Sequence, residues 1–371
     1  MITSKLPPDK KTLDRYWERV KNGQAELVRQ ELRYSDRYGL YRALRKRGFD
    51  IQGLLWKAQG NAKEETPEPE PVIEYIPYPN FKIKPFKPPK SRRDVEDIGI
   101  IFADRHNGKK TADYSPEICA KRTDSLLEST MTIINLHRPI RRAHIFNLGD
   151  NIQGENAHQG SRINNVIGNA RDQINEEVKL QGRFLTSLSQ GVEEVHFYGV
   201  RGNHGRYDRV APDGTNWDLF LYDRLKDSLQ NQKNIHINHS DRFYLLVNIR
   251  GFRFFGVHGD QCKGNAAVPL IAARRKMAEW YALVGGFNYA YMAHFHTKAS
   301  DTINTHADYV IAPPLVTGDE WAIEQVGRAT SPQQLCFGIH DHHGRTFQYQ
   351  LHTDDAFLPQ KYDEPEGEVI L

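Results

Sequence analysis

Two patterns of apolar spacing divide the chain. In the first 60 residues apolar positions recur at helical intervals: "KTLDRYWERVKNG" carries Leu13, Tyr16, Trp17 and Val20 on one face. "QAELVRQELR" continues the pattern, and "RYGLYRALRKRGFD" supplies a third helix, with Asp36 placed to cap it and Gly48 to stop it. Leu40 and Leu44, four apart, face inward and leave Arg37, Tyr38, Arg42, Arg45, Lys46 and Arg47 mostly outside. Further on, short apolar runs ending in polar or glycine turns alternate with helical segments. "DIGIIFADRH" precedes "PEICAKRTDSLLESTMTIINL", "RRAHIFNLGD" precedes a polar helical stretch around 163–190, and "VEEVHFYGVRGNH" precedes "WDLFLYDRLKDSLQ". "DRFYLLVNIRGFRFFGVHGD" reads as a hairpin turning at Arg250–Gly251, "VPLIAARRKMAEWYALVG" as a helix and "FNYAYMAHFH" as a strand. Strand–helix alternation that gives way to hairpins predicts an α/β domain of packed sheets with helices outside.

Residues 61–96 hold eight of the nineteen prolines, a density that forbids a helix interior and favours extended chain. The predicted organisation is a basic helical domain over 1–60, a linker over 61–96, an α/β domain over 97–360 and an acidic tail over 361–371. Tyr78, Phe81 and Phe86 in the linker are expected to pack against the body. The chain has 371 residues, 39% of them hydrophobic, and a mean hydropathy of −0.67. No apolar run approaches the ~18–20 residues of a membrane span. The N-terminus lacks the apolar stretch of a secretory signal, and three cysteines are too few and scattered for a disulfide framework. An intracellular, cytoplasmic protein is the expectation. Net charge is +3, but residues 1–60 hold 14 Lys/Arg against 7 Asp/Glu, or +7, which leaves −4 for the rest. A basic head on a mildly acidic body suggests that the head contacts a polyanion; the alternatives are a solvated surface or a protein-docking module.

Polar residues with chemistry cluster where the predicted strands end: Asp104 and His106, Asp150, Asn203 and His204, His258, and His294 with His296. Side chains two apart in extended chain point the same way, so Asp104/His106 and His294/His296 each act as a unit. Groups at the carboxyl ends of strands can converge in one crevice. Carboxylates, imidazoles and an amide oxygen form a borderline N/O donor set suited to Mn, Fe, Zn or Mg rather than a soft thiolate site. "GIHDHHGRTFQYQ" also gathers His340, His342 and His343, but its setting reads as a hairpin turn.

The order "ADRH", "LGD", "RGNH", "VHGD", "AHFH" resembles the calcineurin-like metallophosphoesterase family, over residues 98 to about 300. The resemblance implies a four-layer α/β/β/α sandwich, here preceded by a small helical domain, and a site for two divalent metal ions, with Mn²⁺ favoured over Mg²⁺, Zn²⁺ or Fe. By motif, Asp104, His106 and His296 would hold one ion, Asn203, His258 and His294 the other, and Asp150 would bridge them. His204 would act as leaving-group acid or charge stabiliser. The family often places an acid after that histidine; here Gly205 stands there, and Asp208 or Asp260 is expected to substitute. Arg105, Arg201 and Arg206 adjoin ligand positions and are candidate phosphate contacts. Gln153, His158 and Arg162 are candidate walls of the substrate cleft. The third helix of the head is similar to the helix-turn-helix of Fis-type DNA-binding proteins, which makes Arg37, Arg42, Arg45 and Lys46 candidate DNA contacts. The combined expectation is a metal-dependent DNA nuclease, exo- or endonuclease, similar to the double-strand-break repair nucleases of the family, with DNA as partner and no membrane. The rivals are a phosphoesterase acting on nucleotides, small phosphodiesters or phosphoproteins, and a DNA-binding protein with a vestigial site.

Overall fold

Every short apolar run that ends in a predicted ligand motif forms a strand, and the strands sort into two sheets. The computed structural model describes residues 9–34, 37–50, 95–155, 166–208, 210–262, 269–317 and 330–354. The expectations for Asp36, the linker aromatics, His158, Arg162 and the tail lie outside these residues, as does the side chain of Arg37. The chain divides into two compact units, residues 1–79 and 80–371.

Among the described residues of the first unit, α1 (Lys10–Lys21), α2 (Ala25–Glu31) and α3 (Arg37–Lys46) pack on each other. Asp9 caps α1 by accepting from the Thr12 amide at 2.8 Å. Leu13, Val20, Ala25, Val28, Leu40 and Leu44 form its buried core, with Trp17 and Phe49 in ring contact at the rim. Arg19 and Glu31 make a two-bond ion pair between α1 and α2. The anticipated Gly48 stop is present, with a left-handed φ of 88° that a side chain would disfavour. Arg42, Arg45 and Lys46 are exposed on the side of α3 away from Leu40 and Leu44, and Arg47 is exposed just past its end.

The second unit is an α/β sandwich. Among the described residues one sheet has six strands, in the order 344–352, 333–340, 96–102, 140–147, 194–199, 235–239, and the other has five, in the order 244–249, 252–257, 289–292, 307–311, 299–304. In the first, β1 (Glu96–Phe102), β2 (Ile140–Asn147), β3 (Glu194–Gly199) and β4 (Ile235–His239) are mutually parallel, and β10 (Gln333–His340) and β11 (Gly344–His352) close its other edge antiparallel. In the second, β5 (Tyr244–Ile249) and β6 (Phe252–Val257) form the anticipated hairpin, with Arg250 and Gly251 both at positive φ in its turn. β7 (Tyr289–Met292) runs parallel to β6, and β8 (Ala299–Asn304) and β9 (Ala307–Ile311) complete the sheet.

Side-chain alternation explains the layers. On β1, Ile98, Ile100 and Phe102 pack with Leu126, Phe184 and Leu221 of helices α4 (Pro116–Leu136), α5 (Ala170–Leu188) and α6 (Trp217–Ser228). Ile101, one residue out of phase, joins Phe146, Phe254, Tyr291 and Phe337 between the sheets. Phe255 and Val257 on the far side of β6 pack against Ala273, Met277 and Trp280 of α7 (Pro269–Leu283). Helix, sheet, sheet and helix therefore follow one another through three apolar cores. The polar stretch read as helical around 163–190 is helix from Ala170 to Leu188. No helix among the described residues is long and apolar enough to cross a membrane.

Candidate metal centre

Five strands deliver the predicted motifs to one place. Asp104 and His106 follow β1, Asp150 follows β2, Asn203 and His204 follow β3, His258 follows β6, and His294 and His296 follow β7. The first three strands are parallel in one sheet and the last two are parallel in the other, so all five loops leave at carboxyl ends.

The loops are built tightly enough to dictate residue type. Gly149 takes a φ of 87°, and a Cβ there would meet the Gly202 amide nitrogen. Gly202 lies against Asp150, so a side chain would collide with that carboxylate. The two glycines let the "LGD" and "RGNH" turns touch. Non-glycine residues are strained as well: Asp104, His106, Asp150, His294 and His296 hold φ of 47, 45, 54, 74 and 47°. Five of the seven predicted ligands therefore occupy left-handed backbone that costs each on the order of 1–3 kcal/mol and persists only where its surroundings dictate it.

The side chains converge as three overlapping groups whose ligand atoms lie within 4.8 Å of one another: Asp104, His106 and His296; His106, Asp150 and His204; and Asp150, His258 and His294. His106 Nε2 is 3.2 Å from His296 Nε2, and His258 Nε2 is 2.9 Å from Asn203 Oδ1 and 3.1 Å from Asp150 Oδ2. The second ring nitrogens of two of these histidines are held from outside: His258 Nδ1 lies 2.8 Å from the Leu148 carbonyl and His106 Nδ1 3.1 Å from Gln153 Oε1. Such partners fix the ring and direct Nε2 inward. His340, His342 and His343 form no comparable group among the described residues.

Electrostatics favour a cation here. Burial raises the Asp104 carboxyl above its ordinary range, with His296 and His258 only partly offsetting it. Burial acts on Asp150 the same way, but His258 and His204 overcome it and hold that carboxyl well below the usual range. His258 is buried, which disfavours its charge, yet the Asp150 carboxylate beside it pushes its pKa up to about 10. His106 and His294 go well below the usual imidazole value, by burial first and then by the neighbouring His204 and His258 respectively. Two buried carboxylates and two neutral imidazoles around one protonated imidazole form a donor set with protons where divalent ions fit.

Several expectations need correction. Arg105 is not a phosphate contact: it is fully buried, ion-paired with Glu177 and bonded to Thr123 Oγ1 at 2.8 Å. Asp208 and Asp260 both have other partners close at hand. Asp208 accepts from the Val210 and Ala211 amides, and Asp260 pairs with Arg206. His204 Nδ1 lies 3.0 Å from the backbone carbonyl of Gln153. Gln153 is buried behind the site, steadying His106 and His204, rather than walling a cleft. Arg201 and Arg206 line a cleft of about 490 Å³ with Phe243, Asp213 and Asp260. Both are already engaged, Arg201 with Asp213 at 2.5 Å and Arg206 with Asp260.

Sequence reading missed the support behind the loops. The buried Asp218 carboxylate of α6 accepts from the amides of Asp150 and Asn151, each at 3.1 Å, from Asn151 Nδ2 at 2.7 Å and from the Gly202 amide at 2.7 Å. Glu177 and Gln181 of α5 bind Arg105, Asn107 and Asn151. A signal existed: Gln173, Glu177 and Gln181 recur every four residues on the buried face of α5.

No protein-family model matches the chain, and no curated protein matches it. Solved structures do, 44 chains in all. One is a predicted phosphoesterase from Streptococcus pneumoniae, at 10% identity over 69% of this chain and 98% of that one, with a TM-score of 0.29. Vps29 from Entamoeba histolytica, solved with zinc, matches at 10% identity over 69% and 99%, with a TM-score of 0.30. A dimetal phosphatase from Danio rerio matches at 12% identity over 73% and 100%, with a TM-score of 0.34. Likeness at this level leaves the functional reading to the residues of the site.

Proposed function

We propose that the protein is a phosphoesterase working with two divalent metal ions, that it cleaves phosphodiester bonds, and that DNA is its favoured substrate. The observation that carries the reading is the convergence of seven donors, Asp150 at their centre, five of them in strained backbone. Asp104, His106 and His296 suit one ion, Asn203, His258 and His294 the other, and Asp150 both. The donor set suits Mn²⁺, and also Mg²⁺, Zn²⁺ or Fe. When bound, such ions clamp a phosphoryl group and activate the attacking water. The chain's own part is to hold that geometry and move a proton. With Nδ1 beside the Gln153 carbonyl, His204 is set to hand a proton from Nε2 to the departing alcohol. Nucleic acid is favoured by the basic face of α3 and by Arg201 and Arg206 in the adjoining cleft.

The test is turnover of the Mn²⁺-loaded protein on a nitrophenyl phosphodiester, a nitrophenyl phosphomonoester and labelled single- and double-stranded DNA, in parallel with His204→Ala. Diester and DNA cleavage should exceed monoester hydrolysis. His204→Ala should keep its metals and lose roughly 10²–10⁴-fold on DNA, but less on the nitrophenyl diester, whose leaving group needs little protonation. Monoester turnover alone would move the reading to a small-phosphoester hydrolase; no turnover on any substrate would end it.

A further inference from the structure

The histidines of the six-stranded sheet are not randomly placed. His144 on β2 pairs in register with His196 on β3, which pairs with His236 on β4. All three therefore stand on the same face, and so does Glu194, two residues before His196. His144 and His196 stack at 5.2 Å and 18°, His196 and His236 at 4.8 Å and 27°. Deeper in the sheet this face is the apolar contact between sheets, but at β4 it opens: His236 and Asn238 are exposed while Ile235 and Ile237 are buried.

We infer that Glu194, His196 and His236 form a further cation site, separate from the centre at the strand ends, which takes a borderline divalent ion such as Zn²⁺, Co²⁺ or Ni²⁺. Their ligand atoms lie within 4.8 Å of one another, and His196 Nε2 is already 3.1 Å from Glu194 Oε2. Two imidazoles and a carboxylate are the donors of open zinc sites, which keep a position for water. Tetrahedral zinc with bonds of about 2.0–2.1 Å wants donors roughly 3.3 Å apart. The remaining closure falls to rotation of His236, the exposed member of the set. An outer shell is in place as well. Arg142 Nε donates to Glu194 Oε2 at 2.8 Å and fixes the carboxylate, and His144 backs the stack with Nδ1 3.3 Å from the Tyr198 hydroxyl. Without an ion the arrangement is poorly used, since protonating both His196 and His236 would set like charges side by side on neighbouring strands.

The site also has a structural use. β4 is an edge strand of its sheet, and an ion shared by His196 and His236 ties it to β3. Glu194 opens β3, whereas the candidate centre follows the other end of that strand, beyond Gly199. The inference does not rest on the phosphoesterase reading.

The experiment counts metal. Metal-stripped protein is titrated with Zn²⁺ by calorimetry, and the bound metal is measured after desalting, for the parent, His236→Ala and Glu194→Gln. His236→Ala removes an exposed side chain, and Glu194→Gln keeps an acceptor for Arg142, so both leave the fold in place. His236→Ala should bind one equivalent fewer than the parent, with phosphodiester turnover unchanged. Glu194→Gln should weaken that one equivalent by at least the roughly 10–100-fold that losing an outer-sphere partner costs. Co²⁺ absorption should show one set of bands lost in His236→Ala. If parent and His236→Ala bind the same number of equivalents at the same affinity, the site does not exist, whatever becomes of the centre at the strand ends.

Discussion

Asp150 and His258 show how one pair of residues sets the terms for the whole centre. With no cation present, the carboxylate holds a proton on the imidazole, raising its pKa from 6.5 to about 10 against the effect of burial. A raised pKa stabilises the metal-free fold fully below pH 6.5, and that contribution is lost as pH climbs toward 10. An ion binding His258 must expel the proton, so uptake becomes pH-dependent. Apparent affinity should rise about tenfold per pH unit between about pH 6 and 8, and calorimetry in buffers of different ionisation enthalpy should count one proton released from this residue. Flat affinity with no proton release would remove His258 from the ligand set. The residue scale also explains what was legible. "ADRH", "LGD", "RGNH", "VHGD" and "AHFH" could be read because each ligand sits within a few residues of a strand end. Arg105 misled for a related reason. It lies between two ligands in sequence, but Asp104 and His106 take left-handed rather than extended backbone, and the Arg105 side chain is buried against Glu177. The Gln153 carbonyl beside His204 was illegible in principle, because a backbone carbonyl leaves no trace in residue identity.

At the scale of elements, strands and hairpins followed from alternation and turn chemistry, and the supports between elements did not. The Arg250–Gly251 turn was visible as two apolar runs around a glycine, and the structure forms the hairpin there. Asp218 gave no such signal: it lies in the first turn of α6, 68 residues from the Asp150 amide it binds. Long-range polar pairing has no period. Yet Asp218 is what fastens the "LGD" and "RGNH" turns to one another, with Asn216 capping the helix that carries it. Replacing it with asparagine turns one acceptor into a donor facing buried amides. Each donor left unpaired costs ~1–3 kcal/mol, so Asp218→Asn should lose about 2–4 kcal/mol in denaturant unfolding. Its metal affinity should fall by roughly 10–100-fold, as for other outer-sphere losses. A variant with the parent's midpoint and the parent's affinity would show that the turns hold their shape without it.

At the scale of the molecule the open question is what the basic head brings to the centre. Among its described residues six apolar side chains of α1, α2 and α3 are buried together. The exposed face of α3 carries Arg42, Arg45 and Lys46 away from Leu40 and Leu44, with Arg47 exposed just past its end. Charge at that density suits phosphate far better than an apolar partner. If Arg42, Arg45 and Lys46 each neutralise a phosphate of duplex DNA, each releases condensed counterions on binding. The slope of log affinity against log salt then falls by about 0.9 for every contact removed. The triple variant Arg42→Ala, Arg45→Ala, Lys46→Ala should bind duplex DNA more weakly and with a slope shallower by roughly 2.7 on that rule. None of the three belongs to the buried core, so its melting temperature should stay near the parent's. Hydrolysis of a small phosphodiester should not change, because every proposed ligand lies at or beyond Asp104. Unchanged DNA affinity and slope would mean that α3 docks something other than DNA. The case for nucleic acid as substrate would then rest on Arg201 and Arg206 alone, two arginines already paired with aspartates.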